Sequence, residues 1–218
     1  MTQIGLPFDW SGQGGEGAFL VSEANQIAVR HLEGWRDWKV RTSILSGPPR
    51  SGRSILARQF AAASDGTVIE QAEQVEDELL FHAWNRAQLE GRPLLLVADR
   101  PPAEWRVTLP DLKSRLAAAP HVAIAQPDEA LVRALIERGL AAAGTAWAAD
   151  VPDFLVRRIE RSYDAVAAVV DRLNHASVAA GRKISVVMAK EVLQSAGLLP
   201  IVRGDPAPCA SRQIIKEA

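Results

Sequence analysis

The chain has 218 residues, 48% apolar and 23% charged, the balance of a globular protein with one domain or two small ones around a sizeable core. Its 25 basic and 26 acidic side chains leave a net charge of −1, which argues against a polyanion binder driven by bulk charge. The single cysteine, Cys209, excludes an intramolecular disulfide and a cysteine zinc cluster, and no apolar run nears the roughly 20 residues of a bilayer span.

Residues 1–18 read as an arm. The apolar patch Gln3-Ile4-Gly5-Leu6-Pro7-Phe8 precedes Gly12-Gln13-Gly14-Gly15-Glu16-Gly17, where glycine's backbone entropy disfavours fixed structure. Such a patch can reach a partner surface or pack as an edge strand on its own domain, and composition leaves both open. Beyond it, residues 19–126 alternate between helix and strand patterns. Ser22 is expected to cap a helix through Leu32, and Thr42-Ser43-Ile44-Leu45 forms a strand running into Gly47-Pro48-Pro49. A helix over about Gly52–Ala62 follows, then a short strand at Thr67-Val68-Ile69 and an amphipathic helix from Glu78 to Glu90, stopped by Gly91. The apolar run Leu94–Ala98 reads as a strand covered on both faces, and His121–Ala125 as a fourth strand. This alternation predicts an α/β three-layer domain with a parallel sheet.

From Pro127 the period is helical, predicting a small all-α subdomain over 127–197. One helix starts at Asp128 and ends near Gly144, with Leu131, Leu135 and Ile136 on one stripe. A second opens at Val151-Pro152, a third covers Tyr163 to Ala180, and a fourth Ser185 to Ser195. Residues 198–218 read as a tail.

The segment Gly47-Pro48-Pro49-Arg50-Ser51-Gly52-Arg53-Ser54 lies between a strand and a helix, the setting of a phosphate-binding loop. Glycines let backbone N–H groups and the helix N-terminus face an anion. The usual lysine position holds Arg53, a wider group that needs a planar partner. The loop can be a working phosphate cradle or a vestige.

Taken in order, these segments resemble the Hda-type relatives of the DnaA replication initiator, within the AAA+ ATPases, over about residues 3 to 198. Gln3, Leu6, Pro7 and Phe8 look like that family's motif for binding the bacterial sliding clamp. Asp99-Arg100-Pro101-Pro102 resembles its first sensor segment, and Leu109 to Leu116 the stretch carrying its arginine finger, which falls on Arg115. Val169-Val170-Asp171-Arg172-Leu173 is similar to its second-sensor helix. The resemblance implies nucleotide contacts from Gly47, Gly52, Arg53, Ser54 and Asp99.

Departures from the family pattern are equally specific. The metal-binding and water-activating pair aligns with Glu70 and Gln71, so one carboxylate is missing, and the second-sensor arginine falls on Asp164. Too little chain lies between Ala62 and Thr67 for the family's extra strand and helix, so four strands are expected where relatives have five. Hydrolysis needs a cation on the phosphates, a Mg²⁺ ligand and an oriented water, and each is altered. The resemblance therefore implies a cytoplasmic, nucleoid- or replisome-associated adapter with weak or lost ATPase activity of its own. It would bind the clamp, place Arg115 on ATP-bound DnaA and restrain re-initiation. ADP or ATP could still bind through the loop backbone and Ser54, with Mg²⁺ not tightly held, and self-association is left open. The alternatives are an autonomous ATPase that tolerates Arg53 and a DNA-binding initiator-like protein. The latter is disfavoured by the short stretch after the lid and by nine basic against nine acidic residues over 127–196.

The remaining features read blandly. Trp35, Trp38, Trp84, Trp105 and Trp147 are scattered without basic interleaving, as packing residues are. His31, His82, His121 and His175 share no metal-ligand spacing. The cluster Glu73, Glu76, Asp77 and Glu78 reads as a solvated helix start.

Overall fold

The computed structural model describes residues 19–197. The arm residues Gln3, Leu6, Pro7 and Phe8 and the 198–218 tail lie outside the described residues. Four strands, β1 (Thr42–Ser46), β2 (Thr67–Ile69), β3 (Leu94–Ala98) and β4 (His121–Ala123), form one parallel sheet in the order β2-β3-β1-β4. Among the described residues the sheet has the four strands expected. Both central strands are buried along their whole length, because helices cover both faces.

Period-two alternation sorts their side chains. Leu45, Leu95 and Val97 meet α1 (Gln26–Glu33) and α2 (Arg53–Ser64) around Leu32, Leu56 and Phe60. Ile44, Leu94 and Leu96 point the other way, to α3 (Asp77–Glu90) and α4 (Pro110–Ala118), around Leu80, Trp84, Leu112 and Leu116. The hydroxyls this alternation buries on β1 are satisfied locally. Ser43 Oγ donates to the Pro120 carbonyl (3.0 Å) and contacts His31 Nε2 (2.7 Å), and Ser46 Oγ lies 2.7 Å from His121 Nε2. Since the Ser43 proton goes to Pro120, His31 is the Nε2–H tautomer.

Four further helices, α5 (Glu129–Ala142), α6 (Val151–Val156), α7 (Tyr163–Ala180) and α8 (Val186–Ser195), enclose a second core of Val132, Ile136, Leu140, Leu155, Leu173 and neighbours. Asp128, Ser162 and Ser185 cap α5, α7 and α8, each side-chain oxygen accepting a backbone N–H three residues on.

Three boundaries differ from expectation. Helix α1 begins at Gln26 rather than at Ser22. Asn25 ties the preceding turn by accepting from Ser22 N (2.9 Å) and donating to Leu20 O (2.8 Å), so Ser22 serves a turn and not a cap. Strand β4 stops at Ala123, since Ile124 turns into the core beside the loop and donates to Ser46 O at 2.8 Å. Helix α2 runs on to Ser64, whose hydroxyl donates back to Phe60 O at 2.7 Å. The expected α5 stripe also divides. Val132, Ile136 and Leu140 build the lid core, while Leu131 packs with the body.

A degenerate nucleotide cleft and an arginine on the opposite layer

The loop from Gly47 to Ser54 joins β1 to α2 at the carboxyl edge of the sheet, where open α/β sheets place their ligands. It reverses direction through Arg50 at φ +59° and Gly52 at φ +89°. Gly47 nestles against Ile124, where an added Cβ would sit 3.0 Å from that side chain. Ser51 is 5% exposed, and its Oγ has no partner among the described residues.

Arg53 does not reach into the loop's concavity. Its guanidinium donates to the Ala98 carbonyl and to Asp99 Oδ1, crossing from the start of α2 to the end of β3. The planar partner that a guanidinium requires is therefore the Asp99 carboxylate. Asp99 is held in turn, its N–H donating to Glu73 Oε1 at 2.7 Å. Ser54 Oγ donates to Glu70 Oε2 at 3.3 Å, while Gln71 occupies a left-handed turn (φ +51°) and is exposed. Structure thus brings Arg53, Ser54, Glu70 and Asp99 to one edge and leaves Gln71 out.

The lid closes over this edge through α7. Asp164 Oδ1 lies 3.3 Å from Arg50 Nε, so the position expected to repel phosphate pairs with the loop's own arginine. Beside it, the buried Tyr163 donates its hydroxyl proton to Ala125 O at 3.2 Å. Burial and the nearby Asp128 charge push its pKa up to about 12, so the phenol stays neutral. From the other side the Phe19 ring covers the loop, lying 2.6 Å from where a Gly52 Cβ would be.

The enclosed space among Phe19, Ile55, Leu131, Leu135 and Tyr163 is about 60 Å³. Ligand clefts are typically about 300–1,000 Å³. An open groove of about 300 Å³ continues along the lid between α5 and α7, over Gly139 and Val170. Among the described residues, no three His, Cys, Asp or Glu side chains converge as a metal site. A magnesium nucleotide does not fit the donor set in this arrangement. The loop cation is engaged, one acidic station is an amide, and the base cleft is filled by side chains.

Arg115 sits in the other layer. Its Nη1 donates to Asn85 Oδ1, and its guanidinium stacks 4.5 Å from the centroid of Phe81, both on α3. Helix α4, which carries it, is clasped from α3 by Asp77. One oxygen, Oδ2, accepts from Thr108 N (2.7 Å), Thr108 Oγ1 (2.7 Å) and Leu109 N (2.9 Å). The Thr108 hydroxyl first, then the backbone N–H of Leu109, hold the Asp77 carboxyl below its ordinary range. The reading of Glu73 to Glu78 as a merely solvated helix start is therefore corrected, because Glu73 holds Asp99 and Asp77 holds α4.

Sequence reasoning passed over Arg50, Phe19, Glu73, Phe81 and Asn85. An aspartate at the second-sensor position was the available signal for Arg50, since a misplaced carboxylate calls for a cation nearby. The other four act across 26 to 34 residues of separation and leave no local pattern.

The parallel sheet, the glycine loop at its edge and the helical lid define an AAA+ P-loop fold. The fold is similar to domain III of the Thermotoga maritima replication initiation protein DnaA, with TM-score 0.68 at 14% identity, covering 81% of this chain and 94% of that one. It is also similar to the Thermotoga maritima RuvB Holliday junction branch migration motor (TM-score 0.62, 15% identity, 82% and 70% of the two chains). A DNA replication initiation factor matches with TM-score 0.61 at 15% identity, over 72% and 63%. Residues 128–193 match the family model described as Hda, lid domain. The chain thus has an AAA+ P-loop fold, and its helical part, residues 128–193, matches an Hda-type lid.

Proposed function

We propose that the chain is an adapter that binds the DNA polymerase sliding clamp through Gln3, Leu6, Pro7 and Phe8. It negatively regulates chromosomal replication initiation by promoting hydrolysis of ATP on DnaA, acting in the cytoplasm at the replisome. The observation that carries this reading is the position of Arg115. It lies on the α3–α4 layer, across the sheet from α2 and its loop, and is held there by Phe81 and Asn85. A guanidinium so placed serves a neighbour's nucleotide better than its own, and a finger supplied in trans is worth about 10³–10⁵ in rate.

The test is hydrolysis of DnaA-bound ATP in the presence of DNA-loaded clamp. Arg115→Ala should abolish stimulation while clamp binding in a pull-down persists, and Leu6→Ala with Phe8→Ala should abolish both. Stimulation unchanged by Arg115→Ala removes the finger role, and unchanged clamp affinity of the arm variant removes the tether. The Ser54–Glu70 pair favours a second reading, an autonomous ATPase. Mg-dependent turnover by the purified chain, lost in Arg53→Ala, would select it.

A further inference from the structure

Three sets of this chain's own groups stand where a nucleotide's parts would be met in a P-loop cleft. The Arg53 guanidinium spans Ala98 O and Asp99, so the loop cation and the first sensor neutralise each other. Arg50 and Asp164 form a charge pair across the body–lid boundary. The Phe19 ring lies on Gly52, and with Tyr163, Leu131 and Leu135 it lines the remaining space of about 60 Å³.

These substitutions complement one another chemically. An aspartate on the lid is unfavourable beside a phosphate yet favourable beside Arg50, and an arginine in the lysine position is awkward on a phosphate yet suited to a carboxylate. We infer that the cleft is self-occupied: the lid–body arrangement is held by internal side chains in place of nucleotide, and the protein works without binding ADP or ATP. This goes beyond the adapter reading, since it concerns only this chain's own cleft and holds whether or not Arg115 acts on DnaA.

The ion pair is a minor part of the closure. Arg50 and Asp164 are 63% and 62% exposed, and exposed pairs contribute little in water. The apolar seal of Phe19, Leu131 and Tyr163 carries most of it, and the pair orients the lid.

The experiment uses the full chain, with ADP and ATP, each with and without Mg²⁺, as probes. Nucleotide at 1 mM should move the wild-type melting temperature by less than about 1 °C, because a ligand bound only weakly adds almost nothing to native stability. Saturable binding with a dissociation constant in the low micromolar range would overturn the inference. The double variant Phe19→Ala/Arg53→Lys opens the base cleft and supplies a compact cation, and it should acquire a nucleotide-dependent rise of several degrees. A folded double variant that remains indifferent to nucleotide would show that these side chains are not what excludes it, again overturning the inference.

A second measurement does not depend on that variant folding. Hydrogen exchange across 47–54 and 163–166 should quicken about two- to fivefold in Arg50→Asp and in Asp164→Arg, and return to wild type in the double exchange. Single variants that exchange as wild type, or that ADP restores, would refute internal closure.

Discussion

Gly52 meets two constraints at once, a φ of +89° and an aromatic ring at 2.6 Å from any added Cβ. Gly91 has a similar φ of +68° but nothing within 4 Å. The pair separates backbone strain from collision. Gly91→Ala should cost about 1 kcal/mol from the left-handed conformation alone. Gly52→Ala should cost about 2–3 kcal/mol, because the Phe19 ring must also move. Urea midpoints of the two variants check this, and equal losses would mean that Phe19 does not press on the loop. Asp77 makes a different prediction, about pH. Its folded carboxyl is depressed, so its contribution is whole above the unfolded value near 3.8 and is lost as pH falls through the lower folded value. Asp77→Asn should therefore lower stability at neutral pH and flatten the acid limb of the stability profile below about pH 4. An acid limb identical to wild type would deny the clasp on α4.

Helices α5, α7 and α8 were legible because their signals are local: a capping oxygen, an apolar stripe, and for α7 a stop at Gly181 in the left-handed region at φ +60°. Ser185 illustrates this, its hydroxyl accepting from Met188 N at 3.3 Å. Ser185→Ala should destabilise by about 0.5–2 kcal/mol, read as a drop in the thermal midpoint. No change would mean that the first turn of α8 is held by packing alone. The loop and its neighbouring stations were also legible, since glycine spacing after a strand has few other uses. What those stations bind was not. Arg53 to Asp99 spans 46 residues and Arg50 to Asp164 spans 114, and neither pair imposes a period or spacing on the chain between. The turn ahead of α1 escaped for a related reason. Ser22 looks like a cap one turn too early, and only Asn25 folding back onto Ser22 and Leu20 moves the helix start.

Body and lid share one apolar boundary, with Leu131 and Tyr163 packed among Leu45, Leu56 and Phe60. Stability of the whole should therefore respond to groups buried in either part. His31 and His121 are both depressed by burial, so between their unfolded value near 6.5 and their lower folded values the denatured chain takes protons that the native chain refuses. Stability should fall as pH drops from 7.5 to 6. Glu33, raised by burial and only partly offset by Arg30, acts with the opposite sign between its unfolded value near 4.5 and its higher folded value. Urea midpoints at pH 7.5 and 6 test this, and a midpoint that rises on acidification would contradict it. One consequence of the short outer strands concerns solubility. Both margins of the sheet, β2 and β4, are only three residues long, so a stray extended segment has almost no template along which to zip. The trimmed sheet thus guards itself against runaway fibril growth by brevity rather than by charge.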